Sequence, residues 1–382
     1  MNKKRVAVIF GGQSSEHEVS RVSAQSVISN INKDKYDVIM IGITKDGRWL
    51  NYDGPVDLLG SGQWQAIAEE GIKSSTSAKI LLEESNIKEN QGMSPQVVSA
   101  RSIFRAAGAE SEHKGIDVVF PVLHGCNGED GTIQGMFELA GIPYVGPGVL
   151  ASAMGMDKAY SKIIFEKEGI PQGKYLVFTR KQIERDMDNI VKEVENLLEY
   201  PCFVKPSNAG SSVGVEKARD RSQLIESLIN ASKYDRKVLV EEFINGREVE
   251  CAVLGNDDPI ASTVGEVEPC NEFYDYNAKY IDNNSKVIIP AQLPDETVAE
   301  IRRYAVKAFK ALDCAGLSRV DFFVHKESGK VYINEINTLP GFTSISMYPK
   351  LWEASGIPYG ELIEKLIDLA VERFNDNKRA LE

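Results

Sequence analysis

The chain has 382 residues, 42% hydrophobic and 26% charged, the balance of an ordinary globular protein with enough material for roughly two or three domains. A formal net charge of −12 excludes a general nucleic-acid surface but leaves room for a local cationic pocket. No apolar run approaches the ~18 residues that a membrane span needs, and the basic start MNKKR leads into too short an apolar stretch for a signal-peptide core. The sequence therefore predicts a cytoplasmic protein with no membrane and no nucleic-acid partner. Its cysteines, at 126, 202, 251, 270 and 314, lack CxxC or CxxH spacing, which argues against a structural zinc site or a disulfide framework.

RVAVIF (5–10) reads as a short buried strand ending in Gly11-Gly12. After it, Val19, Val22, Val27 and Ile31 recur at helical spacing, with Ser15 and Glu18 placed for a capping box. YDVIMIGIT (36–44) and GIDVVFPVL (115–123) read as further strands, so residues 1–148 are expected to form an α/β domain on a mostly parallel sheet. GGQSSE lacks the G-x-G-x-x-G spacing of a dinucleotide fold, which removes the dehydrogenase reading. Residues 51–113 are polar and irregular, and carry no evident chemistry. The turn in VLHGCNGEDG then places His124 and Glu129 after a strand, where α/β sheets bind ligands, although a lone histidine is more often structural.

Three helix stops, AGIPYVG, EGIPQG and SGIPYG, punctuate the chain at unequal intervals and so do not mark a repeat. They predict a central domain over 149–255 and a C-terminal domain over 256–382, both α+β. In the central part, CFVKP and VGVEKA flank the loop PSNAGSS, and Lys205 precedes the glycines instead of following them as in a P-loop. Gly210 and Gly214 permit close backbone approach, while Ser211 and Ser212 add hydroxyls. A glycine-rich flap over a polyphosphate and a plain Gly/Ser hairpin with a solvated lysine both fit this segment. Downstream, Glu241, Glu242, Glu248 and Glu250 surround a strand end, and the Glu242-Phe243-Ile244 turn offers backbone groups to a purine edge.

The strongest signal is SRVDFFVHKESGKVYINEINTLPGF (318–342). Glu335 and Asn337 are two apart on one strand and share a face, and Asp321 stands across a predicted hairpin. Three oxygen-bearing side chains suit Mg²⁺. Asp321 opposes Glu335 only if the loop has an odd count, and a three-residue loop containing glycine is the expected class. Arg319 shares the face of Asp321. Before this hairpin, EPCNEFYDYNAKYIDNN is rich in aromatics and reads as a functional lid, with Lys279 and Tyr280 within it.

The set GGQSSEHEVS, LHGCNGEDG, MDK, KPSNAGSSVG, EFYDYNAKY, SRVDFF and NEINTLPGFTSISMYP resembles, in order, the D-alanine–D-alanine ligases of the ATP-grasp superfamily. The resemblance covers nearly the whole chain and is weakest over 51–113. It implies the ATP-grasp fold and ATP-dependent joining of two D-alanines through an acyl phosphate, for peptidoglycan precursors, by a homodimer. It makes Lys158 and Lys205 phosphate ligands, with Ser212 and Lys279 beside them, and Glu241, Glu242, Phe243, Ile244 and Glu248 the adenine and ribose site. Asp321, Glu335 and Asn337 would hold two Mg²⁺ (or Mn²⁺) ions. Glu16 would take the first D-alanine ammonium, and Ser346 with the Met347 backbone the second carboxylate. Tyr280 would link Glu16 to Ser211, Arg319 and the Gly341 N–H would stabilise the oxyanion, and His124 would assist the incoming amine. Two departures, Ser318 and Ala209, remove no functional side chain. Ligases using D-lactate or D-serine, and a non-catalytic ATP-binding regulator, are the competing readings. YDYNAKY favours the dipeptide over the D-lactate ester, and the intact set of Arg319, Asp321, Glu335 and Asn337 argues against the regulator.

Overall fold

The computed structural model describes residues 3–71, 115–268, 286–378 and 380. The expectations for Lys279, Tyr280 and the surrounding lid lie outside the described residues.

The first sheet has the order β3-β2-β1-β4, from strands β1 (Lys4–Gly11), β2 (Tyr36–Ile43), β3 (Trp49–Tyr52) and β4 (Val118–Val122). β1 runs parallel to β2 and β4, and β3 adds an antiparallel edge. The apolar runs that form β1 and β4 are buried on both faces, as a strand between helical layers requires. The expected capping box is absent. The helix His17–Asn30 begins one residue later, with Glu16 at its N-cap and no side-chain cap bond. Ser14 Oγ accepts from the Glu16 N–H instead, at 3.0 Å. The stretch read as irregular from 51 also starts in order. Trp64 is wholly buried, edge-on to Phe10 at 4.9 Å, and a Cβ added at Gly42 would lie 2.1 Å from its ring. Only glycine leaves room for that indole.

The central sheet is antiparallel in the order β5-β8-β6-β7, from β5 (Tyr175–Thr179), β6 (Cys202–Pro206), β7 (Glu216–Ala218) and β8 (Lys237–Glu242). It closes its own core around Phe178, Val204, Leu228 and Val240. The third sheet is β11-β10-β9-β12-β13, from β9 (Gly246–Gly255), β10 (Ile260–Glu268), β11 (Lys286–Ile288), β12 (Gly316–His325) and β13 (Val331–Asn337). β9 pairs along its whole length with β12 and also with β10. By sheet membership β9 sides with the strands of the C-terminal lobe. The helix segment 149–167 also packs there, through Ala151 and Phe165. One face of the third sheet shares a continuous core with the first. Phe10, Phe120, Phe342, Trp352 and Leu366 belong to the same buried cluster.

Candidate functional site

The site residues come from all three sheets. On β12 and β13, Asp321 lies directly opposite Glu335, and Arg319 opposite Asn337. The expected pairing is present, but by another route. The hairpin closes through residues 326–329, with His325 N–H donating to Lys330 O at 2.9 Å, which alone would set the parity wrong. A bulge restores it: Phe322 pairs with Ile333, leaving Asn334 as the extra residue between the two registers. On the other side Asp321 opposes Glu250 of β9. Opposed residues of an antiparallel pair share a face, so Glu250, Asp321 and Glu335 form one carboxylate row across three strands.

Three like charges in a row need cations. Arg319 supplies one, its Nε and Nη2 reaching Asp321 at 2.8 and 2.7 Å while Nε also lies 2.9 Å from Glu250 Oε2. Burial disfavours the Arg319 guanidinium, yet Asp321 and Glu250 outweigh this and raise its pKa. Lys158 Nζ lies 3.3 Å from Glu335 Oε2. With the carboxylates held by these cations, no three His, Cys, Asp or Glu side chains among the described residues close on a common metal position. The donor set still fits a hard cation in one respect. The buried Asn337 Oδ1 accepts no hydrogen bond, and it stands beside Asp321 and Glu335 on the row's face.

The loop after Lys205 is a hairpin turn, with Cys202 paired to Ala218 and Val204 to Glu216. Its base is fastened to the helix Lys158–Lys167. Ser207 Oγ donates to Asp157 Oδ1 at 2.7 Å, and Lys158 Nζ donates to the Ala209 carbonyl at 3.0 Å. Ser211 and Ser212 both have positive φ, 50° and 58°, which turns the loop tip toward the first domain. There Ser211 Oγ donates to Glu16 Oε1, and a Cβ on Gly210 would lie 2.8 Å from Glu16 Oε2. Glycine is what lets the loop roof that carboxylate.

Lys205 and Glu241 lie diagonally on one face of β6 and β8, Lys205 opposite Leu239 and Glu241 opposite Phe203. Lys205 Nζ contacts Glu241 Oε2, and the buried Lys162 reaches Oε1 at 2.5 Å. Burial alone would raise the Glu241 pKa, but Lys162 and Lys205 hold it down to about 2. Beside them Phe243 is 39% exposed, tilted against Phe203 at 6.2 Å, with Lys217 Nζ 4.2 Å over its ring. This is an open apolar shelf beside a lysine. Glu242 does something else: its Oε1 accepts from the Lys174 N–H at 2.7 Å and its own N–H donates to Lys174 O at 3.0 Å. Ile244 stands close by, where a Cβ on Gly173 would meet its Cδ1 at 3.2 Å. Glu248 opposes Phe323 two residues along from the carboxylate row.

His124 is 5% exposed, with Nδ1 3.2 Å from Leu339 O and Nε2 3.2 Å from Ser23 Oγ. Burial disfavours its cation, but Glu129, 3.8 Å away, outweighs that and leaves the pKa raised. Both ring nitrogens have partners, so the histidine braces the first domain against the 339–341 turn. Ser346 stands at the N-cap position of the helix Met347–Ala354 without a side-chain cap bond, and a Cβ on Gly341 would meet its Oγ at 3.0 Å. That places the Gly341 turn and the Met347 N–H at one helix N-terminus, a ready anion site. Tyr359 Oη holds the same turn by donating to Phe342 O at 2.5 Å.

Lys162 escaped the sequence reading, although it lies four residues after Lys158 and so shares its helix face. Glu250 stands among the strand-end carboxylates of the sequence with no role read for it, although it lies two after Glu248 on a strand.

Comparison with known proteins agrees on one lineage. The family models described as D-ala D-ala ligase N-terminus and C-terminus match residues 5–147 and 164–368. A D-alanine–D-alanine ligase of Acetivibrio thermocellus is 68% identical with 98% of each chain covered, and one of Ruminiclostridium cellulolyticum is 66% identical over 99% of this chain and 98% of the relative. Among solved structures, the VanG D-Ala:D-Ser ligase of Enterococcus faecalis has a TM-score of 0.80 at 41% identity, covering 97% of this chain and 100% of that one. The D-alanine–D-alanine ligase of Coxiella burnetii has a TM-score of 0.74 at 33% identity, covering 98% and 97%.

Proposed function

The chain belongs to the D-alanine–D-alanine ligase family of ATP-grasp enzymes, and from that premise we propose how its residues divide the ATP-dependent joining of two D-alanine molecules. The observation that supports the division of labour is the meeting of the first and central lobes at Glu16, with the C-terminal lobe joined to them through His124. The loop that leaves Lys205 roofs the Glu16 carboxylate through Gly210 and Ser211, and His124 braces the same region against the Gly341 turn.

A carboxylate is a poor electrophile, so the first D-alanine must be phosphorylated before an amine can attack it. Glu16 takes its ammonium, and Lys158 and Lys205 take the phosphates, offsetting the repulsion between triphosphate and carboxylate. Mg²⁺ or Mn²⁺, as two ions, would be held by Asp321, Glu335 and Asn337 and would supply further neutralisation of that charge. The Phe203–Phe243 shelf suits the adenine face, with Ile244 and the Glu242 carbonyl at its edge and Glu248 toward the ribose. Arg319 and the Gly341 N–H face the oxyanion of the tetrahedral intermediate, and Ser346 with the Met347 N–H holds the second carboxylate. Lys279 and Tyr280 keep their proposed lid role. The homodimer and the cytoplasmic location implied by the resemblance belong to the same proposal. Among the described residues no helix is long and apolar enough to cross a membrane.

D-Alanine is the favoured second substrate over D-serine or D-lactate. The relatives at 68% and 66% identity carry the D-alanine name, against 41% for the D-Ala:D-Ser ligase. The test supplies ATP, Mg²⁺ and D-alanine with an equal concentration of D-serine. D-Alanyl-D-alanine should form at one per ADP and dominate the products; a predominant D-alanyl-D-serine would overturn the assignment.

A further inference from the structure

Lys162 stands behind the residues assigned above to the nucleotide and has no task in that scheme. It is 3% exposed and its ammonium lies 2.5 Å from Glu241 Oε1, while the Lys205 ammonium holds the other oxygen of the same 6%-exposed carboxylate. Two lysines on one glutamate leave a buried trio of net charge +1 (two positive, one negative). Burying an ammonium is costly, and Lys205 alone would neutralise Glu241, so the pairing does not by itself call for a second lysine. The two lysines also differ in access. The Lys205 side chain keeps 12% exposure against 4% for Lys162, and an ammonium has three donors, of which Lys205 directs one at Glu241. Lys162 instead faces inward, with its Nζ 5.5 Å from the centre of the Tyr175 ring.

We propose that Lys162 is a positioning residue that neutralises Glu241 from behind, so that the uncompensated positive charge of the trio is presented through Lys205 to the triphosphate. The proposal rests on the assignment of Lys205 to the phosphates. Without Lys162, Glu241 and Lys205 would close into a neutral pair, and the attraction for phosphate would fall while the apolar shelf for the base stayed intact. The upward pKa shift of Lys205, where Glu241 and Glu335 outweigh burial, and the downward shift of Lys162, where burial wins, agree with a fixed cation in front and a strained one behind.

The test is the ratio of ATP affinity to adenosine affinity, because adenosine lacks the phosphates and cancels any damage to the base site. Lys162→Gln should lower the ratio on the order of tenfold, and Lys162→Arg should leave it near that of the unaltered protein. Lys162→Gln combined with Glu241→Gln restores the net charge of +1 on Lys205 alone and should recover the ratio, an outcome that a packing role would not produce. Should the glutamine variant fail to fold, Lys162→Met with the same Glu241→Gln partner makes the comparison. An unchanged ratio in the single variant, or a lowered one that the double variant does not recover, overturns the proposal. Lys205→Gln separates the two layers. If it leaves the ratio unmoved, the phosphate assignment of Lys205 fails; if it lowers the ratio while Lys162→Gln does not, only the role of Lys162 fails.

Discussion

Arg319→Gln is expected to lower kcat by about 10²–10³, the usual cost of removing one electrostatic stabiliser of a tetrahedral intermediate. The guanidinium does two jobs from one position. It binds Asp321 through two nitrogens and Glu250 through one of them, and in the proposed mechanism it stabilises the oxyanion. Its loss therefore also leaves Glu250 and Asp321 adjacent in the carboxylate row with a missing counter-charge, and thermal stability should fall with activity. Arg319→Lys keeps the charge but not the planar fork, so it should recover more stability than rate. Steady-state kinetics beside thermal denaturation separates the two effects. A variant whose KM alone rises, with kcat intact, would show that Arg319 binds substrate without stabilising the intermediate.

Glu335→Gln should be nearly as damaging and should differ in kind. The substitution keeps the shape and removes a charge from the Asp321–Glu335 pair, where Asn337 Oδ1 waits with no hydrogen bond. Half-saturation by Mg²⁺ should move to much higher concentration, and turnover at saturating Mg²⁺ should still drop by about 10². Lys158, which loses its carboxylate partner at 3.3 Å, should remain in place through the Ala209 carbonyl, so the fold should survive. Titrating Mg²⁺ against rate checks this. An unshifted Mg²⁺ dependence would move the metal site away from the β12–β13 hairpin.

Much of this site can be read before folding because strand alternation puts residues two apart on one face. Arg319 with Asp321, and Glu335 with Asn337, interrupt apolar strands at alternate positions, and the structure sets the two pairs opposite each other. The register itself was legible only as a condition on parity. The structure meets it by a bulge at Asn334 and not by the length of the turn. The sheet membership of β9 was hidden for a similar reason. Its sequence continues from β8 with only residues 243–245 between them, and nothing local says that the chain crosses to another sheet. Lys162 carries no local signal, because its burial depends on Glu241, far along the chain on β8. His124 is marked by its motif, and what the fold adds is its contacts with Leu339 and Ser23, which join the first domain to the 339–341 turn.

The central claim is that the first D-alanine carboxylate is phosphorylated before the amine attacks. D-Alanine labelled with ¹⁸O in both carboxylate oxygens, incubated with ATP and Mg²⁺ in unlabelled water, tests it directly. An acyl phosphate leaves its bridging oxygen on the departing phosphate, so the account predicts one ¹⁸O in each inorganic phosphate for every D-alanyl-D-alanine formed. Phosphate free of label, produced alongside the dipeptide, would mean that ATP is hydrolysed by water and drives the ligation by some other route.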